Sequence, residues 1–216
     1  MGNRQTYLLR FVRNTDSVIS AEVVGFIAGG LGMFFGLPQA LRVRRLGHGR
    51  GVSLISWLLL FGTSTCWGAY GFDIKSPSVL LTNIGAALVN ASVIMAIMKN
   101  NLKSIALLSV YVSTLSALIL NLPSAVVSTI LILVIFAQAP QIVKSYKNLH
   151  AGADTAVSIS GLSVSSLSIA LWFVYALLAD VSLILLSASI AVSLNLSIIV
   201  LELIGKRRRG KLTYSG

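Results

Sequence analysis

Residues 67–90, WGAYGFDIKSPSVLLTNIGAALVN, and residues 172–195, WFVYALLADVSLILLSASIAVSLN, are apolar stretches of equal length. They share Trp at the first position, Tyr at the fourth and Asn at the last. At the same offset of 105, Val52-Ser53 matches Val157-Ser158. Further upstream, across a loop three residues longer in the second copy, the offset becomes 102 and Pro38-Gln39 matches Pro140-Gln141. One gap therefore aligns two copies of a unit, an internal duplication.

The surrounding composition says what kind of unit is duplicated. Of 216 residues, 56% are hydrophobic and 11% charged, where a soluble domain has about a quarter charged. Mean hydropathy is +0.87, and apolar runs approach the ~20 residues that span ~30 Å of hydrocarbon. The chain reads as an all-α polytopic membrane protein. That excludes a soluble enzyme, a nucleic-acid binder and a secreted disulfide scaffold. The net charge of +11 is then a matter of membrane orientation rather than of nucleic acid. Cys66 is the one cysteine, so an intramolecular disulfide and a cysteine metal or redox pair are ruled out.

Charges, Gly/Pro breaks and apolar length predict seven spans near 19–41, 52–72, 78–98, 102–121, 124–144, 156–178 and 181–204. The corresponding organisation is an N-terminal tail (1–18), a three-helix repeat (19–98), a linker transmembrane helix (99–122), a second repeat (123–204) and a basic C-terminal tail (205–216). Three helices do not return the chain to its starting side. The linker span restores it, so both copies insert with the same orientation, related by an axis along the membrane normal. Of the 17 Lys and Arg, Arg4, Arg10, Arg13 and Lys75 fall on one side and the remainder on the other. The basic side is expected to be cytoplasmic, with the N-terminus outside and the C-terminus inside, in a plasma membrane. The first apolar run is too long for a cleavable signal peptide.

At this point the residues carry a family resemblance. Phe35-Gly36-Leu37-Pro38-Gln39 and Ala137-Gln138-Ala139-Pro140-Gln141 resemble the PQ motifs of the PQ-loop superfamily, and the continuation is similar to its SWEET and SemiSWEET sugar transporters. In that pattern a Trp follows the proline by 29 residues, a Tyr lies three further on and an Asn 16 after the Trp, as Pro38, Trp67, Tyr70 and Asn83 do here. The second copy has Pro140, Trp172 and Tyr175, with Ala188 in the place of the second Asn. Further prolines of the family's second helix are missing from 52–72 and 156–178. The resemblance spans about residues 23–204. It implies two three-helix PQ-loop repeats joined by a linker helix (3+1+3), with a solute site on the axis between them.

Physical roles follow for the residues so marked. Proline within a span removes a donor and clashes one turn back, so Pro38 and Pro140 are expected to kink helices one and five as symmetric hinges. Gln39 and Gln141 either bond the carbonyl groups freed by the kinks or face cytoplasmic water. Trp67 and Asn83, on antiparallel helices, are expected at one depth, about 8 Å below the outer boundary. With Trp172 they form the substrate-binding set, an indole face packing on a sugar ring and an amide exchanging hydrogen bonds with hydroxyl groups. An interfacial aromatic belt is the rival reading of both tryptophans.

Asn83, Asn90 and Asn195 are costly in hydrocarbon unless satisfied, so each is expected to face the bundle interior. Asn90 and Asn195 serve equally well as helix glue or as substrate contacts. Ala188 is the counterpart of Asn83 and predicts a lopsided pocket. Gly25, Gly29, Gly32 and Gly36 form a small-residue packing face on helix one. Most of the many serines of helix six are expected to bond back to their own helix. Tyr70 with Asp73 and Tyr175 with Asp180 are placed at the outer mouth as a hydrogen-bonding gate. His48 and His150, each ten residues after its PQ proline, lie in cytoplasmic loops without a metal role.

No acidic or basic residue occupies the middle of a span, Glu22 and Glu202 near helix ends being the nearest. The expectation is a non-enzymatic facilitative carrier by alternating access for a small neutral polar solute, a mono- or disaccharide, without cofactor or metal. Its partners are the solute and the lipid bilayer, with homo-oligomerisation left open. A proton-coupled PQ-loop amino-acid transporter and a non-transporting receptor on the same fold are the alternatives.

Overall fold

The computed structural model describes residues 19–33, 37, 41, 45, 54–136, 139–151 and 159–213, and every regular element among them is a helix. In chain order these are α1 (Ile19–Met33), α2 (Leu54–Asp73), α3 (Pro77–Met98), α4 (Asn101–Asn121), α5 (Ser124–Ile135), α6 (Ala139–Ala151), α7 (Ile159–Ala179) and α8 (Ser182–Thr213). Four of them, α3, α4, α7 and the Ser182–Arg208 part of α8, are long and apolar enough to cross a membrane. Their outward surfaces are aliphatic: Leu88, Leu102 and Val110 are each at least 67% exposed. Such a surface suits hydrocarbon rather than water. The protein is an all-α, multi-pass membrane protein.

Local chemistry sets the helix ends. Ser76 caps α3 through its hydroxyl, which accepts from Val79 N, and Pro77 occupies the first turn, where its missing N–H is harmless. Asn100 caps α4 by accepting from Lys103 N at 2.9 Å. The turns that join α2 to α3 and α7 to α8 are built alike. Lys75 and Asp180, 105 residues apart, adopt φ of 56° and 55°. Ser76 N donates to Gly71 O at 2.9 Å and Val181 N to Ala176 O at 3.0 Å, again 105 apart. The backbone thus repeats the register read from the tryptophans.

Packing joins these hairpins through α1. A Cβ on Gly25 or Gly29 would overlap the side chains of Ser78 and Thr82 on α3, so α1 lies against α3 at glycine distance. From the other side Ser168 Oγ of α7 donates to Ala28 O at 2.7 Å. Tyr175, Ala176 and Ile184 close with Ala21 and Val79 into one apolar cluster at the end that holds both turns. Trp57, Phe61, Val93, Ile94 and Leu108 form a second cluster among α2, α3 and α4. Cys66, Ala69, Ile119, Val127 and Leu131 tie α5 to α2 and α4.

Two predicted segments come out differently. The stretch expected as one span over 124–144 is two helices, α5 ending at Ile135 and α6 starting at Ala139. Residues 137 and 138 lie outside the described residues, and Pro140, which has no N–H to give one turn back, falls in the first turn of α6, where that loss is harmless. His150, expected in a loop, lies in the last turn of α6, with Nδ1 at 3.0 Å from Tyr146 O. At the other end α8 continues to Thr213, well past the predicted 204. Lys and Arg favour helix, and their charge suits a helix C-terminus. Pro38 and Gln39, with Gly36 and His48, lie outside the described residues.

Candidate functional site

The two hairpins meet at a cavity of about 190 Å³ that contains Trp67 and Asn83 from α2–α3 and Trp172 and Ala188 from α7–α8. The antiparallel packing that puts Trp67 and Asn83 at one level operates in both hairpins, so the four positions converge. Each indole is held edge-on by the tyrosine three residues later. Trp67–Tyr70 has centroids 5.8 Å apart at 86°, and Trp172–Tyr175 5.3 Å at 76°, which is favourable T-shaped geometry. Val79, Ile169 and Ile184 supply apolar wall, and Ile135, the last residue of α5, reaches the cavity next to the helix break.

Polar groups in this lining are few. Asn83 Nδ2 donates to Val79 O at 2.8 Å on its own helix, which leaves the amide carbonyl and second N–H for the cavity. Ala188 offers no polar atom. Ser187, one residue earlier, is 5% exposed, lines the cavity, and its hydroxyl has no partner among the described residues. No charged side chain lines the cavity among the described residues.

The other predicted residues divide between helix packing and the ends of the bundle. Asn90 Nδ2 donates to Ser64 Oγ at 3.4 Å and Asn195 Nδ2 to Ser165 Oγ at 3.1 Å. Each ties the third helix of its copy to the second, and neither lines the cavity. In α7 only some serines bond back along the helix, as Ser163 does to Ile159 O at 3.0 Å. Ser165 and Ser168 bond other helices instead. Gln141 Nε2 donates to Ser145 Oγ at 3.3 Å, and Ser145 Oγ donates to the buried Glu202 at 2.7 Å. That network joins α6 to α8.

At the end that carries the two turns, Tyr175 is 1% exposed, whereas Asp73 and Asp180 are exposed. The carboxylate that closes this end is Glu22 of α1. Ser76 Oγ donates to Glu22 Oε1 at 2.9 Å, Ser78 N to Glu22 Oε2 at 2.6 Å, and Tyr175 OH to Ser76 Oγ at 2.8 Å. The same hydroxyl is 3.5 Å from Glu22 Oε1. One carboxylate at the N-terminus of α3 therefore links α1, the α2–α3 turn and α7, with the helix dipole in its favour. Sequence reasoning marked Glu22 only as a peripheral acid. Its partners lie 54 to 153 residues away, beyond any local pattern. Ser187 was overlooked as well, although the 105 offset pairs it with Thr82, which puts a hydroxyl beside the Asn83/Ala188 position in both copies.

A larger hollow of about 800 Å³ lies between α2, α3 and α4. Its rim residues Phe72, Leu88 and Ile105 are exposed, and α7 and α8 contribute nothing to it. Asn83, Ser64, Thr65, Ser109, Ser113 and Ser116 also line it, but its exposed apolar rim suits acyl chains better than a polar solute. Among the described residues no group of three or more His, Cys, Asp or Glu could hold a metal ion. Cys66 is buried and free. The chain matches no protein-family model, and no curated protein matches it.

Proposed function

We propose that the chain is an alternating-access facilitative carrier of a small neutral polar solute, with a monosaccharide as the leading substrate. The bundle is read as seven spans in a 3+1+3 PQ-loop arrangement, N-terminus outside and C-terminus cytoplasmic. One observation carries the reading: Trp67 and Asn83 of one hairpin and Trp172 and Ala188 of the other line a single cavity. The two hairpin turns lie at the same end of the bundle, in keeping with two copies inserted in the same orientation. Among the described residues the cavity lining offers two indoles and an amide and no charge, which suits hydroxyl groups on a ring better than a zwitterion. At about 190 Å³ the cavity is smaller than the ~300 Å³ at which pockets for drug-sized ligands begin. That volume favours one sugar ring over two.

In this mechanism the outer end is closed by the apolar cluster around Tyr175 and by the Glu22 network, and the solute leaves toward the basic, cytoplasmic end. The break between α5 and α6 beside Ile135 gives the inner end a place to bend. Reopening the outer end requires Ser76, Ser78 and Tyr175 to release Glu22. The test is counterflow of labelled hexoses in proteoliposomes. Saturable, competitive exchange is expected; binding without exchange would make the protein a receptor, and neither binding nor exchange would overturn the reading.

A second reading, a proton-coupled transporter on the same scaffold, is favoured by the position of Glu22. It lies on the joint between the halves, where taking up a proton would remove the charge that holds Ser78 N–H. Accumulation driven by a pH gradient, lost in Glu22→Gln, would select this second reading. Downhill flux indifferent to the gradient selects the uniporter.

A further inference from the structure

We propose that Ser187 is the second half's polar contact with the solute, taking the part that Ala188 cannot. The inference rests on the carrier reading. It starts from an unpaired group: Ser187 is 5% exposed, and its hydroxyl has no hydrogen-bond partner among the described residues. A buried hydroxyl without a partner is costly, so a native protein that keeps one uses it or fills the space beside it. Ser187 also lines the cavity that holds Asn83 and both tryptophans. The ligand enters that cavity, and its hydroxyl groups are the missing partners.

The repeat explains why this serine is left over. Its counterpart at the 105 offset is Thr82, whose hydroxyl donates to Ser78 O at 2.6 Å and whose side chain packs against Gly29 of α1. In the first copy the hydroxyl is spent on helix packing, and the next residue, Asn83, faces the cavity. In the second copy the next residue is Ala188, and Ser187 itself lines the cavity with an unpaired hydroxyl oxygen that is covered in this state, so contact with the solute requires its side chain to turn inward. The polar pair is therefore Asn83 and Ser187, one amide with donor and acceptor and one hydroxyl able to do either. Between two indoles, this pair specifies a neutral single-ring polyol with hydroxyl groups on opposite sides of the ring. A carboxylate or ammonium group would find no counter-charge among the described residues of the lining.

The experiment measures equilibrium binding of D-glucose and its monodeoxy derivatives to wild type, Ser187→Ala and Ser187→Cys in detergent, with thermal unfolding of each apo protein. Removing the serine should weaken glucose about two- to twelvefold, the effect of one neutral hydrogen bond. One monodeoxy derivative should bind wild type and Ser187→Ala equally, because the bond is missing from both. Apo stability should be unchanged or higher in Ser187→Ala, as an unpaired hydroxyl is removed; a serine with a structural bond would lose stability instead. Ser187→Cys keeps the shape and should bind like the alanine variant. Equal glucose affinity in all three proteins overturns the role of Ser187 while leaving the carrier reading in place. No saturable binding of any of these sugars to wild type overturns both.

Discussion

The α2–α3 and α7–α8 hairpins share a frame and differ in what the frame carries. Their turns place a left-handed residue, Lys75 or Asp180, and the same backbone hydrogen bond at an offset of 105. Their tryptophan–tyrosine pairs have the same edge-on geometry. Yet Thr82-Asn83 in one stands opposite Ser187-Ala188 in the other, and the Glu22 network enters through α3 with no equivalent at the start of α8 among the described residues. Duplication has conserved the parts set by backbone geometry, where a change breaks the hairpin. Most other side chains differ between the two stretches, and among those differences the Asn83/Ala188 position is the one that changes the chemistry of the cavity.

The largest effect is expected where the halves differ most, at Glu22. Glu22→Ala removes the charge-assisted hydrogen bonds from Ser76 Oγ and Ser78 N, and at about 1.5–3 kcal/mol for one such bond the open–closed equilibrium should move by roughly tenfold or more. Spin labels at Asp73 and Asp180, exposed on the two hairpin turns, should show a new longer distance in this variant. An unchanged distance distribution would mean that the apolar cluster around Tyr175 suffices to close the outer end.

Next comes the cavity itself. Asn83→Ala should weaken solute binding by roughly tenfold or more, since it removes a bond and leaves a substrate hydroxyl group buried and unpaired. Ala188→Asn tests the comparison from the other side: restoring the amide should favour solutes with an additional hydroxyl group. If Asn90→Ala or Asn195→Ala abolishes binding while Asn83→Ala does not, the site lies deeper, among residues assigned here to helix packing.

Smaller still is Tyr175→Phe. It takes one neutral hydrogen bond, worth about 0.5–1.5 kcal/mol, from Ser76 and leaves the ring packed. The outer-open population should rise by less than in Glu22→Ala, and by no more than about twelvefold. A larger response would make the phenol, rather than the carboxylate, the principal closure. Pro140→Ala should leave affinity unaltered and slow exchange, because a donor at 140 lets α5 continue into α6. Equal losses in binding and flux would show that the break only shapes the cavity.

The sequence by itself determined everything that depends on neighbours along the chain. Apolar length determined the membrane character, and the residues at positions 76, 77 and 100 determined the helix starts. The offset of 105 determined that Trp67, Asn83, Trp172 and Ala188 occupy equivalent places. Local rules were also enough to mark Pro140 as a fault in the helix, but a kinked single span and two separate helices obey them equally. Tertiary structure decided which of those forms, and that Asn90 and Asn195 bond to serines on adjacent helices rather than reach the cavity. It also decided that Tyr175 meets Glu22 and Ser76 instead of Asp180, and that the Ser187 hydroxyl has no partner among the described residues. These outcomes turn on how far each helix is rotated about its own axis. A rotation of one residue, about 100°, exchanges a cavity-facing position for a packed one, and contacts across 99 or 153 residues set that rotation.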